Sequence, residues 1–178
     1  MTLEIKDKEL HRITTTTLVY KSNPVQSDDH GASFTYLITR RALHKKSHPG
    51  LWTIPGGGLT VDDYINTPRS EHGPNLWYNV LDKSLRREIK EETGLDIGAP
   101  KILIDMTFLR PDGIPVFCFS CYAPYVGGEV DISLDPEGDT IDFAWVTFEE
   151  AKKYDLIGGI LDEIRQVDEI LRKMTAIV

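Results

Sequence analysis

The stretch from Leu85 to Leu95, LRREIKEETGL, crowds Glu88, Glu91 and Glu92 into a segment whose apolar residues recur at helical spacing. Leu81, Leu85 and Ile89 form an i, i+4 stripe, Asn79 is a capping residue type with Asp82 three positions on, and Gly94 supplies a stop. The spacing predicts a helix over residues 79–93. With Leu85 at zero on a helical wheel, the apolar stripe runs from about 320° to about 40°, and Glu88, Glu92 and Glu91 fall near about 300°, 340° and 240°. The three carboxylates therefore border the buried face, where like charges repel by roughly a few tenths of a kcal/mol per pair and uncompensated charge is costly. Two readings of the residues supply the compensation. Arg86, Arg87 and Lys90 balance the glutamates on a solvated helix, or a hard divalent cation such as Mg²⁺ or Mn²⁺ takes the carboxylate oxygens.

Around this helix the pattern alternates irregularly between strands and helices. Thr14–Lys21 and Ser33–Arg40 read as partner strands, joined by a polar loop through Asp28, Asp29, His30 and Gly31. The run Leu51–Ile54 is stopped by Pro55 and three glycines. Leu59–Tyr78 is polar, contains prolines and Gly73, and reads as a long loop or inserted lobe. Lys101–Leu109 and Val116–Ala123 are strands joined through the turn Arg110-Pro111-Asp112-Gly113, and Ile141–Thr147 is a further strand before a short helix at Phe148–Lys153. Gly158–Met174 closes the chain with an amphipathic helix carrying Ile160, Leu161, Ile164, Val167, Ile170 and Leu171. The expected fold is α/β, a mixed sheet covered by helices on both faces.

The 178 residues fit a single domain, 1–178, elaborated at about 59–78. A formal charge of −8 argues against broad nucleic-acid binding, so an anionic ligand requires local cations or a metal. No apolar run reaches the roughly 20 residues of a membrane span, and the start lacks the apolar core of a signal peptide. A cytoplasmic protein with no membrane partner is expected. Cys118 and Cys121 lack a second pair, and in a strand their spacing sends them to opposite faces; they read as reduced, buried thiols. The triple glycine is not followed by the Lys-Ser/Thr of a phosphate-cradling P-loop.

Arg87-Glu88-Ile89-Lys90-Glu91-Glu92-Thr93-Gly94-Leu95 resembles the second half of the Nudix box, Gly-x5-Glu-x7-Arg-Glu-U-x-Glu-Glu-x-Gly-U, with every fixed position met. The upstream Trp52-Thr-Ile-Pro55-Gly56-Gly57 and the later Trp145-Val146-Thr147-Phe148-Glu149-Glu150-Ala151 are also similar to stretches of that family. The first half of the box departs from the pattern. With Gly57 as the box glycine, 87 − 57 = 30 residues separate it from Arg87, an insertion of 16; Gly73 restores the spacing but lacks the Pro-Gly-Gly context. Counted back from Arg87, the box glutamate position holds Asn79, and Asp62, Asp63 or Glu71 are candidate replacements.

The resemblance implies the Nudix fold, an α/β/α sandwich, and hydrolysis of a nucleoside diphosphate linked to another moiety, with Mg²⁺ (or Mn²⁺) as cofactor and a small-molecule nucleotide as substrate. The implied metal ligands are Glu88, Glu91, Glu92 and the carbonyl of Gly56. Glu91, Arg87 and Asp139 are the implied catalytic residues, with Arg87 positioning glutamates and Asp139 or Glu137 as base. Arg40, Arg110 and Tyr36 are the candidate substrate contacts; Arg41, Lys45 and Lys46 complete a basic patch, and Phe34 and Tyr122 are further aromatic candidates. Pro111 lies where ADP-ribose pyrophosphatases of the family commonly carry a proline, so ADP-ribose or a nucleotide sugar stands beside (deoxy)nucleoside triphosphates as substrate. A homodimer is open. A Nudix-fold module that senses a nucleotide without turnover is the alternative, favoured by Asn79 and the insertion, whereas the intact Arg-Glu-x-x-Glu-Glu half favours an enzyme.

Overall fold

The structure, a computed structural model, describes residues 10–23 and 33–176; the expected loop through Asp28–Gly31 lies outside them. Strand β1 (Arg12–Asn23) is the axis of an eight-stranded mixed sheet. Its β-branched run pairs in parallel with β7 (Pro115–Gly127), from Arg12 opposite Val116 to Tyr20 opposite Pro124. On its other side it pairs antiparallel with β2 (Ser33–Arg41) and with β4 (Gly56–Gly58). β2 continues to β3 (Trp52–Thr53) and β8 (Thr140–Val146), while β5 (Asp96–Ile97) and β6 (Lys101–Leu109) line β7.

Strand periodicity divides the apolar residues between two cores. Leu18, Tyr36 and Ile38 face helix α3 (Ile160–Thr175), which buries Ile160, Ile164, Val167 and Leu171 against them beside the short α2 (Phe148–Ala151). Val19 and Leu37 face helix α1 (Val80–Thr93), which buries Leu85 and Ile89. Each such side chain contributes about 1.5–3 kcal/mol on burial, well above the glutamate repulsion of roughly a few tenths of a kcal/mol per pair. Packing therefore fixes α1 in place and fixes its acidic edge with it. The α/β/α sandwich expected from the sequence is the observed fold.

Local differences have local causes. The triple glycine, read only as a stop, is strand β4: a side chain at Gly56 would place its Cβ 2.2 Å from the carbonyl oxygen of Thr15 in β1. Asn79 precedes α1 in the left-handed conformation (φ 59°, ψ 30°) and its side chain caps nothing, so it turns the chain rather than closing the helix end. Gly94 ends α1 as expected, at φ 72°, with its N–H donating to the carbonyl of Lys90. Arg110–Gly113 is the β6–β7 turn. Segment 59–78 is internally tied: Val61–Asp63 form a 3₁₀ turn, Ser70 N–H donates to Leu76 O (2.7 Å), and Trp77 Nε1 donates to Thr67 O (3.2 Å) beside the ring of Tyr64. Cys118 and Cys121 are free and buried, the latter in the α1-side core.

Candidate active site

The acidic edge of α1 lies over β4. A Cβ at Gly57 would lie 2.3–2.4 Å from the Glu88 carboxylate, so glycine there lets that side chain lie flat on the strand. One turn on, Glu92 Oε2 accepts the backbone N–H of Gly56 at 2.9 Å. The Gly56-Gly57 turn is thus gripped by two glutamates from one helix.

Arg87 is the hub. Its Nε donates to Asp63 Oδ1 (2.5 Å), and its Nη2 to Asp63 Oδ2 (3.1 Å), Glu88 Oε1 (2.9 Å) and the carbonyl of Gly58 (3.3 Å), while Nη1 donates to Glu91 Oε2 (2.8 Å). Arg86 and Lys90 turn away: Arg86 binds Asp82 and the carbonyls of Ile97 and Gly98, and Lys90 binds Asp96 and the carbonyl of Gly94. This removes the balanced-helix reading, because the one guanidinium left serves the three carboxylates Asp63, Glu88 and Glu91, while Glu92 has only the backbone N–H of Gly56.

Their ionisation reflects that deficit. Burial pushes Glu92 up to about 8, with the charges of Glu88, Asp135 and Asp139 adding to it and the Gly56 N–H opposing it. Burial also raises Glu88, against the pull of Arg87. Asp63, side chain almost wholly buried, is likewise raised by burial, yet Arg87, Thr60 and Ser84 outweigh it and hold it below the usual carboxylate range.

Asp63 is the residue that the backward count from Arg87 missed. Six positions forward from Gly57, the Gly-x5-Glu half of the box arrives at Asp63, and the 16 extra residues fall after it, between Asp63 and Arg87. Asn79 is therefore not the position to compare. Of the three replacements considered, Asp63 is the one that meets the arginine.

The other expected residues divide. Asp139 approaches the cluster closely enough for its charge to act on Glu92, and it pairs with Lys45 and, at 3.4 Å, with His44 Nε2. Although burial pushes Asp139 up, Lys45 and its neighbours prevail and keep it ionised. Asp135 organises this turn, accepting the N–H groups of Glu137, Asp139 and Thr140 at 2.8–3.0 Å. Glu137 is exposed, 3.9 Å from Lys45. Arg40 is committed to the backbone of Gly50 (3.0 Å), and Arg110 to Asp112 (2.9 Å) within its own turn. Tyr36, expected to meet substrate, is fully buried on the opposite face, its hydroxyl donating to Asp168 (2.8 Å); Phe34 and Tyr122 are in the same α3-side core. Alternation along β2 decides this, since residue type alone carries no information about which face of the sheet a tyrosine takes.

The donor set fits a hard divalent cation by chemistry, being all oxygen and short of positive charge. Among the described residues, no three acidic, histidine or cysteine side chains already converge on one point, because Arg87 and the Gly56 N–H engage them.

No protein-family profile matches the chain. It is 30% identical over 140 residues to a nucleoside triphosphatase NudI of Klebsiella pneumoniae (strain 342), covering 74% of this chain and 83% of that protein. Among solved structures, a MutT Nudix hydrolase from Burkholderia pseudomallei superposes with a TM-score of 0.62 at 16% identity, over 89% of this chain and 99% of the other. The Nudix domain of Shewanella oneidensis NrtR, in complex with ADP ribose, gives 0.60 at 17% identity, over 92% and 90%. Box, fold and relative agree: the chain belongs to the Nudix hydrolases, a family of pyrophosphohydrolases.

Proposed function

We propose that this protein is a Mg²⁺-dependent pyrophosphohydrolase of the cytoplasm acting on (deoxy)nucleoside triphosphates. The observation that carries the reading is the cluster of Asp63, Glu88 and Glu91 around Arg87, with Glu88 against Gly57 and Glu92 on the Gly56 N–H. Glu88, Glu91 and Glu92, with the carbonyl of Gly56, would hold the cation. When bound, it supplies neutralisation of phosphate charge and a lowered pKa for water. Asp63 fixes Arg87, and Arg87 in turn orients Glu88 and Glu91, a positioning role. Asp139, ionised beside Lys45, is in the protonation state required to accept a proton from water. Lys45 is the cation next to that carboxylate and the candidate phosphate contact in place of Arg40.

The triphosphate reading takes its support from the relative named a nucleoside triphosphatase. For ADP-ribose the sequence signal is Pro111, which occupies an ordinary hairpin turn closed by Gly113 N–H to Arg110 O (2.9 Å) and the Arg110–Asp112 pair. A panel of triphosphates, ADP-ribose, nucleotide sugars and dinucleoside polyphosphates, assayed with Mg²⁺, Mn²⁺ and EDTA, tests the reading. The highest kcat/KM should fall on a triphosphate and vanish in EDTA. A tenfold preference for ADP-ribose, or turnover undiminished by EDTA, overturns it.

A further inference from the structure

Beside the carboxylate cluster, on the α1 face of the sheet, a cleft of about 430 Å³ opens between the strands and the end of segment 59–78. Thr15 and Phe119, neighbours across β1 and β7, form its floor; Leu81 and Leu85 of α1 and the rings of Trp77 and Tyr78 form its walls. Thr15 is also the register partner of Gly57, the residue on which Glu88 lies. Paired residues present their side chains to the same face of a sheet, so the cleft and the Glu88 carboxylate are adjacent.

Three features give the cleft a chemistry. Its volume is in the range of small-molecule sites, and its walls are apolar and aromatic, as ring-binding sites are. Tyr78 is 56% exposed, which leaves ring surface open to a ligand. Thr15 in the floor is completely buried, and its hydroxyl, like those of Thr14, Thr17 and Ser84, has no hydrogen-bond partner among the described residues; of the four, Thr15 is the one that lines the cleft. The first turn of α1, which no side chain caps, also borders the space. A flat heteroaromatic ring with donors and acceptors at its edge matches this set; a sugar, polar all round, does not.

We infer that the cleft receives the nucleobase of the substrate, and that the 59–78 segment selects it through Trp77 and Tyr78. The inference rests on the hydrolase reading for the identity of the ligand. Trp77 is held from behind by Tyr64 (ring centroids 5.2 Å apart) and by its bond to Thr67 O, while the left-handed Asn79 sets Tyr78 at the mouth of the cleft just before α1 begins. The segment is thereby a preformed wall that the enzyme brings to the substrate.

The test is calorimetric titration of the full chain in EDTA with nucleoside monophosphates and with ribose 5-phosphate, which has the phosphate but no base. Monophosphates should bind at least about tenfold tighter, the order of magnitude that stacking one base supplies. Tyr78→Ala should remove most of that preference, and Thr15→Val, nearly isosteric, about fivefold of it, with melting temperature reporting that both variants fold. Ribose 5-phosphate binding as tightly as every monophosphate, or a preference unchanged in both variants, overturns the cleft assignment even if the wild type hydrolyses triphosphates. Conversely, a wild type that keeps the preference but turns over no nucleotide with Mg²⁺ upholds the cleft and overturns the hydrolase reading.

Discussion

Both helices that cover the sheet set acids against it, fully buried on α3 and half-buried on α1, and they do so to opposite ends. On α3, Glu163 is 3% exposed and accepts the hydroxyl of Ser120, while Asp168 is 8% exposed and accepts Tyr36 OH at 2.8 Å and Arg172 Nε at 2.5 Å. Each of these acids has partners of its own. On α1, Glu88 and Glu91 share one guanidinium with Asp63 of the neighbouring segment, and Glu92 has only the Gly56 N–H. A buried acid is therefore not by itself a sign of chemistry; a shortage of partners in a shared cluster is. The first arrangement ties a helix to its sheet, and the second leaves carboxylates short of positive charge, as the proposed cation site requires.

The strongest way to break this contrast is Glu92→Gln. On the α1 face it should cut kcat by about 10³ or more, the several kcal/mol a bound metal contributes to transition-state stabilisation, with the fold retained by circular dichroism. A loss under tenfold would make the cluster structural. The second test is pH. Glu92 is raised to about 8 in the folded protein, so the native state holds its proton more tightly than the unfolded chain does. The associated stability is present below the unfolded pKa of about 4.3 and is lost as pH rises through about 8. In EDTA the melting temperature of the wild type should therefore decline across that window, and Glu92→Gln should flatten the decline. Identical profiles would show that the buried charge is compensated already.

A smaller effect is expected from Gly57→Ala, whose methyl would displace the Glu88 carboxylate; kcat should drop about 10–100-fold, as for other disturbances of a ligand's orientation, with little change in melting temperature. Smallest in activity is Glu163→Ala on the α3 face. It should cost about 1–3 kcal/mol in urea unfolding, because Ser120 loses its acceptor, and leave kcat/KM within about twofold, as distant sites act independently. If this variant silenced the enzyme while remaining folded, the two faces would not be separable.

The sequence carried much of the fold because its strongest signals were periodic. β6 spans the predicted Lys101–Leu109, and α1 needed only its apolar stripe and Gly94. β4 was not legible, since three glycines have no side-chain pattern and become a strand only when β1 lies beside them. In the site, Glu88 and Glu92 were readable as a helical edge, whereas Asp63 was hidden behind an insertion that made counting from Arg87 fail, although counting from Gly57 succeeds. Tyr36 was misplaced because alternation tells which residues share a face, not which helix covers that face. The cleft walls were beyond reach: segment 59–78 has no period, and its shape comes from pairings such as Trp77 with Thr67 O.

The neighbouring glycines of β4 are constrained by different kinds of atom, and heredity would feel the difference. The position after Pro55 is closed by main chain, the Thr15 carbonyl, whereas the next is closed by the tip of a flexible side chain. In a selection for regained activity, a population carrying Gly57→Ala has a route back through a second site, since Glu88→Asp withdraws the carboxylate by one methylene. A population carrying Gly56→Ala has no such partner to change, and its survivors should be true revertants.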